Sequence, residues 1–122
     1  MAKEALTTLS GEASADLSAS QYCFVRLDTS GQVAVAGAGE EANGILQDKP
    51  AAIGRACSYA IGGVSKVRAG AAIGDGVKVM SDSTGRAIAG TATNFILGWT
   101  RTAAAAADEV IEMIFQPQDI SA

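Results

Sequence analysis

The side chains able to do chemistry in this sequence are few, and their spacing brings none of them into a reacting set. Histidine is absent from the 122 residues, which removes the commonest acid–base group near neutral pH. Serine and cysteine nucleophiles have no base at a recognisable spacing. Carboxylates are adjacent at Glu40-Glu41 and Asp108-Glu109. Neighbours along an extended strand point to opposite faces, so these pairs are expected to be loop charges. Cys23 and Cys57 lie in alternating apolar runs and read as small buried hydrophobes rather than a disulfide. Two cysteines without histidine make no zinc site. The 14 glycines include no phosphate-loop pattern, and in "AGAGEEANG" Glu40 and Glu41 would repel a phosphate. No cofactor and no catalytic function are expected.

What remains is chemistry for holding on to another surface. Lys66 and Arg68 are two apart and share one face of a strand. Trp99, the single tryptophan, is either an interface anchor or a core plug. Trp99, Tyr22 and Tyr59 are the only Trp and Tyr available for a ligand platform. Tyr59 falls on a core face, which argues against a three-aromatic ligand site. The formal charge is −4 and no basic stripe runs through the sequence, so direct nucleic-acid binding is not expected. No secretory signal pattern opens the chain, and no run approaches the length of about 20 apolar residues needed to span a bilayer.

These residues must be positioned by a small β domain. The length predicts one domain. The apolar fraction is 48%, but much of it is alanine, and burial stabilises by roughly 25 cal/mol per Å². A thin core supported by association follows. Residues 1–20 have little periodicity and read as an N-terminal arm; residues 21–122 form the domain. "QYCFVRLD" places Cys23, Val25 and Leu27 on one face, and "DTSGQ" is a turn. Strands follow at "QVAVA", "GILQ", "RACSYAI" and, after Gly62-Gly63, "VSKVRA". Regular short strands with turns every eight to twelve residues predict an all-β small barrel or sandwich.

The sequence also repeats. Sliding it by 54 positions lays the segment from Asp28 over the segment from Asp82 without a gap. Gly31 falls on Gly85, Gly44 on Gly98, and Cys57 on Ile111. The apolar parity of each strand is kept, which a one-residue slip would destroy. The run "TAAAAAD" is an excellent helix sequence by propensity. Its counterpart is "KPAAIG", so the duplication predicts a connection there and a strand over Glu109–Phe115. "GGVSKVRAGAAIGDG" is read as the link between the halves.

The run "GILQDKPAAIGRACSYAIGGVSKVRAGAAIGDGVKVMSDSTGRAIAG", followed by "ILGWTRTAAAAADEVIEMIF", resembles the capsid decoration (cement) proteins of tailed bacteriophages. The likeness covers Tyr22 to Phe115; the arm before Tyr22 departs from it. The resemblance implies a non-enzymatic virion protein, made in the host cytoplasm and seated on the capsid exterior. Its partner would be the major capsid protein, its form on the shell a homotrimer, and its task resistance to the pressure of packaged DNA. Candidate contacts are Leu6, Leu9 and Leu17 in the arm, with Arg55, Lys66, Arg68 and Trp99. The competing expectation is a small soluble β-barrel module that binds a ligand or glycan.

Overall fold

The computed structural model describes residues 6–90 and 95–117. Among these, the regular elements are all strands: β1 Leu6–Glu12, β2 Phe24–Leu27, β3 Val33–Val35, β4 Gly44–Leu46, β5 Ala56–Arg68, β6 Lys78–Ser81, β7 Ala87–Ala89, β8 Gly98–Thr100 and β9 Val110–Phe115. They form one antiparallel sheet in the order β3-β2-β4-β5-β9-β8-β6-β7, with β1 on the other edge of β5. The sheet curls. Ala13 bridges Val33, and Ala69 bridges Ala87, each in parallel, so each half bends toward a barrel.

The duplication holds to the residue. β2, β3 and β4 recur as β6, β7 and β8 at an offset of 54, and residues 56–61 of β5 recur as β9. Register is copied too: Phe24 pairs with Ile45 as Lys78 pairs with Trp99, and Leu46 with Tyr59 as Thr100 with Met113. In both turns an aspartate carboxylate accepts from the backbone, Asp28 from Ser30 and Gln32 and Asp82 from Thr84 and Arg86. Such local bonds are the reason Asp nucleates these turns.

The repeat also reaches further toward the N-terminus than the sequence suggests. β1 pairs with residues 56–63 of β5, as residues 63–68 of β5 pair with β9. Ala13 N–H donates to the Arg55 carbonyl and Ala69 N–H to that of Glu109, at 2.9 and 2.8 Å. Leu17 N–H donates to Pro50, and Ile73 N–H to Ala104. The segment Thr8–Leu17 therefore matches Val64–Ile73 at an offset of 56. What reads as a link between halves is the second repeat's own opening strand. The extended arm is laid along β5, and its residues Ala13 and Leu17 are buried. Alternation is illegible there because the buried positions fall after the strand, in a hook.

Two other expectations change. Gly62-Gly63 does not break the chain: β5 runs unbroken for 13 residues, ending one repeat and beginning the next. Leu27 is 41% exposed, because β2 emerges from the core after Val25. The alanine run is a connection, as the repeat requires, with Ala104 bridging Ile73.

The core divides along the same lines. Ala13, Leu17, Val25, Val33, Leu46, Cys57 and Tyr59 form one cluster, the interior of the first repeat. Their counterparts Ala69, Ile73, Val79, Ala87, Ile111 and Met113 lie in the second cluster, which also takes in Phe24, Ile45 and Ala60 from the first repeat. That larger cluster is the second repeat's interior joined to the seam between repeats. Phe24 and Phe115 stack across the seam with centroids 6.1 Å apart. Alanine makes up much of the larger cluster, in keeping with the thin core expected, whereas the smaller one holds only Ala13.

Candidate docking surface

Directly paired residues in a sheet present their side chains to the same face. A row therefore crosses β6, β8, β9 and β5 through Lys78, Trp99, Ile114 and Val64. Trp99 and Val64 are half-buried and Lys78 is exposed; Ile114 is 39% exposed. On the same face, Lys66 stands opposite Glu112, and Arg68 opposite the exposed Val110. The fold thus gathers three of the sequence candidates, Trp99, Lys66 and Arg68, onto one face of the second repeat. Lys66 Nζ lies 5.8 Å from the ring centroid of Tyr22, within cation–π range. Tyr22 itself has a φ of 65°, strained for an aromatic residue; its counterpart Gly76 has a φ of 66°. Arg68 reaches the Asp108 carbonyl at 3.4 Å through Nη1, and its Nε is buried without a partner.

The remaining candidates lie on the first repeat. Leu9 is 48% exposed on β1, whereas Leu17 is 5% exposed and belongs to the core. Leu6 pairs through its backbone with Gly63; its side chain lies outside the described residues. Arg55 is exposed in the loop that follows Pro50, and that loop is bonded to Ala13 on both sides: Ala13 N–H donates to Arg55, and Gly54 N–H to Ala13. The same loop carries Ile53, 69% exposed. Ile53, Leu27, Val110 and Ile114 are not evident as surface residues in the sequence. Val110 and Ile114 alternate with the buried Ile111, Met113 and Phe115 on a strand apolar on both faces, Leu27 lies where β2 leaves the core, and Ile53 stands in the connection before β5.

Tyr59 is buried in the first core, so Tyr22, Tyr59 and Trp99 do not form one aromatic platform. Cys23 and Cys57 are free and buried; burial raises both thiols above their ordinary value. No group of three or more metal-ligating side chains occurs among the described residues, and no described helix is long and apolar enough to cross a membrane.

The electrostatic centre of the seam is the Asp82 turn. Burial opposes its charge. Bonds from the Arg86 and Thr84 backbone, the Thr84 hydroxyl and the Arg86 guanidinium outweigh that and hold its carboxyl below the ordinary value. Arg86 bridges Asp82 and Asp108 at 3.1 Å each. A carboxyl depressed in the folded state contributes stability above its unfolded pKa, and that contribution is lost as pH falls through the folded pKa. Asp82→Asn should therefore lower the melting temperature at pH 7 and flatten its decline as pH falls below about 4, the ordinary aspartate value. Parallel melting curves for both proteins across that range would contradict this.

The phage cement protein family matches residues 11–115. The match begins within β1, in agreement with a repeat that includes that segment. Among solved structures, the N base of the head fiber gp8.5 of bacteriophage phi29 is similar, with a TM-score of 0.72 over 92% of this chain and 95% of that one. Sequence identity is 12%, so the likeness is one of fold. No curated protein matches the chain in sequence. An all-β duplicated domain, bearing its distinctive residues on an open sheet face and matched over nearly all its length, belongs to the phage cement protein family.

Proposed function

We propose that this protein binds the outer surface of the assembled capsid and stabilises it against the pressure of packaged DNA. Its partner is the major capsid protein, and on the shell it acts as a homotrimer. The observation that carries this reading is the family match over residues 11–115, joined to a fold whose distinctive side chains lie on exposed faces. The acidic balance of −4 suits a shell exterior rather than a DNA-facing interior.

The capsid contact is best supplied by β1 and the 50–55 loop bonded to it. β1 has one edge on β5 and is off the main path of the sheet, and an open edge can pair with a strand of another protein. Leu9, Ile53 and Arg55 stand out from this region. Mixing the purified chain with shells that lack it should give uptake to a fixed, lattice-defined ratio, and loaded shells should survive heating that opens bare ones. Ile53→Asp, at a site 69% exposed, should weaken uptake about tenfold or more without changing the melting temperature of the free chain. Shells that take up none of the wild-type chain would overturn the proposal.

A further inference from the structure

The two repeats are joined by a contact that is not reciprocal. In the first repeat the row Phe24, Ile45, Ala60 and Thr8 crosses β2, β4, β5 and β1; its three apolar members are fully buried. The second repeat covers this row. Phe24 N–H donates to the Gly85 carbonyl at 2.6 Å, and Gly39 N–H to that of Ser81 at 2.8 Å. A Cβ on Gly85 would lie 2.8 Å from the Phe24 carbonyl oxygen. Phe115 stacks on Phe24. Symmetry about a two-fold axis would send the Gly31 turn onto Lys78 in the same way. Instead, Gly31 is exposed with nothing within 4 Å of its would-be Cβ.

One face and one edge are therefore left over, and each is the counterpart of a half of the buried seam. The face is the row Lys78, Trp99, Ile114 and Val64, equivalent to Phe24, Ile45, Ala60 and Thr8. The edge is Leu27, the Gly31 turn and Ile61, equivalent to Ser81, the Gly85 turn and Phe115. Ser81 is fully buried in the seam, whereas Leu27 is 41% exposed. Charge agrees with the match. Lys78, Lys66 and Arg68 stand on the open face with a single carboxylate, Glu112, opposite Lys66, while Asp28, Glu40 and Glu41 lie about the open edge with Arg26, which pairs with Glu40 at 3.4 Å.

We propose that copies of this chain associate head to tail, the Trp99–Ile114 row of one copy receiving the Leu27–Gly31 edge of the next. Non-reciprocal contacts of this kind propagate and close into a ring when the rotation allows. Three copies would carry six similar repeats around that ring. This rests on the trimer reading above and assigns it a surface: the row faces a sister subunit and not the capsid.

The test uses two variants that each damage one half of the contact, Ile114→Asp for the face and Leu27→Asp for the edge, both at exposed positions and checked for wild-type melting. The wild type should sediment as an oligomer and each variant as a monomer. An equimolar mixture should form a dimer, because one intact face and one intact edge remain. Chains bearing Leu27→Cys and Ile114→Cys, mixed and oxidised, should cross-link in solution or when bound to shells. Absence of that cross-link in both settings overturns the inference, as does a mixture that stays monomeric while wild type associates. If Ile114→Asp keeps the oligomer and loses shell uptake, the row is a capsid contact: the inference fails and the cement reading stands. If the oligomer forms while shells take up no protein, the head-to-tail contact stands and the cement reading fails.

Discussion

Gly98→Ala should leave the chain without a cooperative melting transition at 37 °C. Gly98 has a φ of 146°, a conformation that residues with a Cβ rarely adopt. The space is also closed: an added Cβ would collide with the Ile114 carbonyl oxygen and lie 2.8 Å from Met113 Cε. Ile114 belongs to β9, whose ladder with β8 includes the Gly98–Phe115 pair. Relief would require the two strands to part. Strain and the lost ladder together should cost more than about 4 kcal/mol, a large share of the 5–15 kcal/mol typical of a domain. A Cβ added to Gly44, its counterpart, would lie 2.5 Å from the Ala60 carbonyl oxygen, so Gly44→Ala should act in the same direction. Gly31→Ala, where nothing crowds the site, should cost only about 1 kcal/mol. Thermal melts followed by circular dichroism separate the three, and equal melting temperatures would refute the close-approach argument.

Removing residues 1–20 should lower the melting temperature by about 15 °C or more. Leu17 is buried at 5% exposure and Ala13 at 0%, within the cluster built around Val25, Val33 and Tyr59. Losing a buried leucine alone costs about 2–5 kcal/mol, and the bonds from Ala13 to Arg55 and from Leu17 to Pro50 go with it. Each kcal/mol moves the midpoint of a domain of this size by several degrees. Leu17→Ala should reproduce a good part of the loss. Removing only residues 1–7 spares the hook and should change the midpoint little. A truncated chain that melts like wild type would show residues 8–20 to be dispensable to the fold.

These two results bear on how far the sequence can be read. The strand plan is legible because Asp28/Asp82, Gly31/Gly85 and Gly44/Gly98 sit at turns and close approaches where the backbone admits few residue types. The same logic makes the alanine run a connection against its helix propensity. The N-terminal segment is not legible as part of the repeat: its match to Val64–Ile73 is shifted by two residues relative to the rest, and it shares only alanines, Ala13 with Ala69 and Ala15 with Ala71, rather than a turn aspartate or glycine. Nothing local marks Gly62-Gly63 as continuous either, since a glycine pair commonly breaks a strand. Of the candidate contacts, Trp99, Lys66 and Arg68 come onto one face because their strands β8 and β5 both flank β9. Leu17 goes inward instead. The outward apolar residues are hidden in the sequence for separate reasons: Ile114 lies on a strand that is apolar on both faces, and Ile53 stands in a connection, where no alternation marks which side chains face outward.

The continuity of β5 has a consequence for how the molecule fails. Its first half is the closing strand of one repeat and its second half the opening strand of the other, and β1, β4 and β9 all lean on it. Neither repeat can lose its shared strand and keep its own barrel. Repeat proteins with separable units melt in steps; here the two units should unfold in one transition, with calorimetric and van't Hoff enthalpies equal. A pull on either end therefore meets no soft half that yields first: the domain holds whole until it gives way whole.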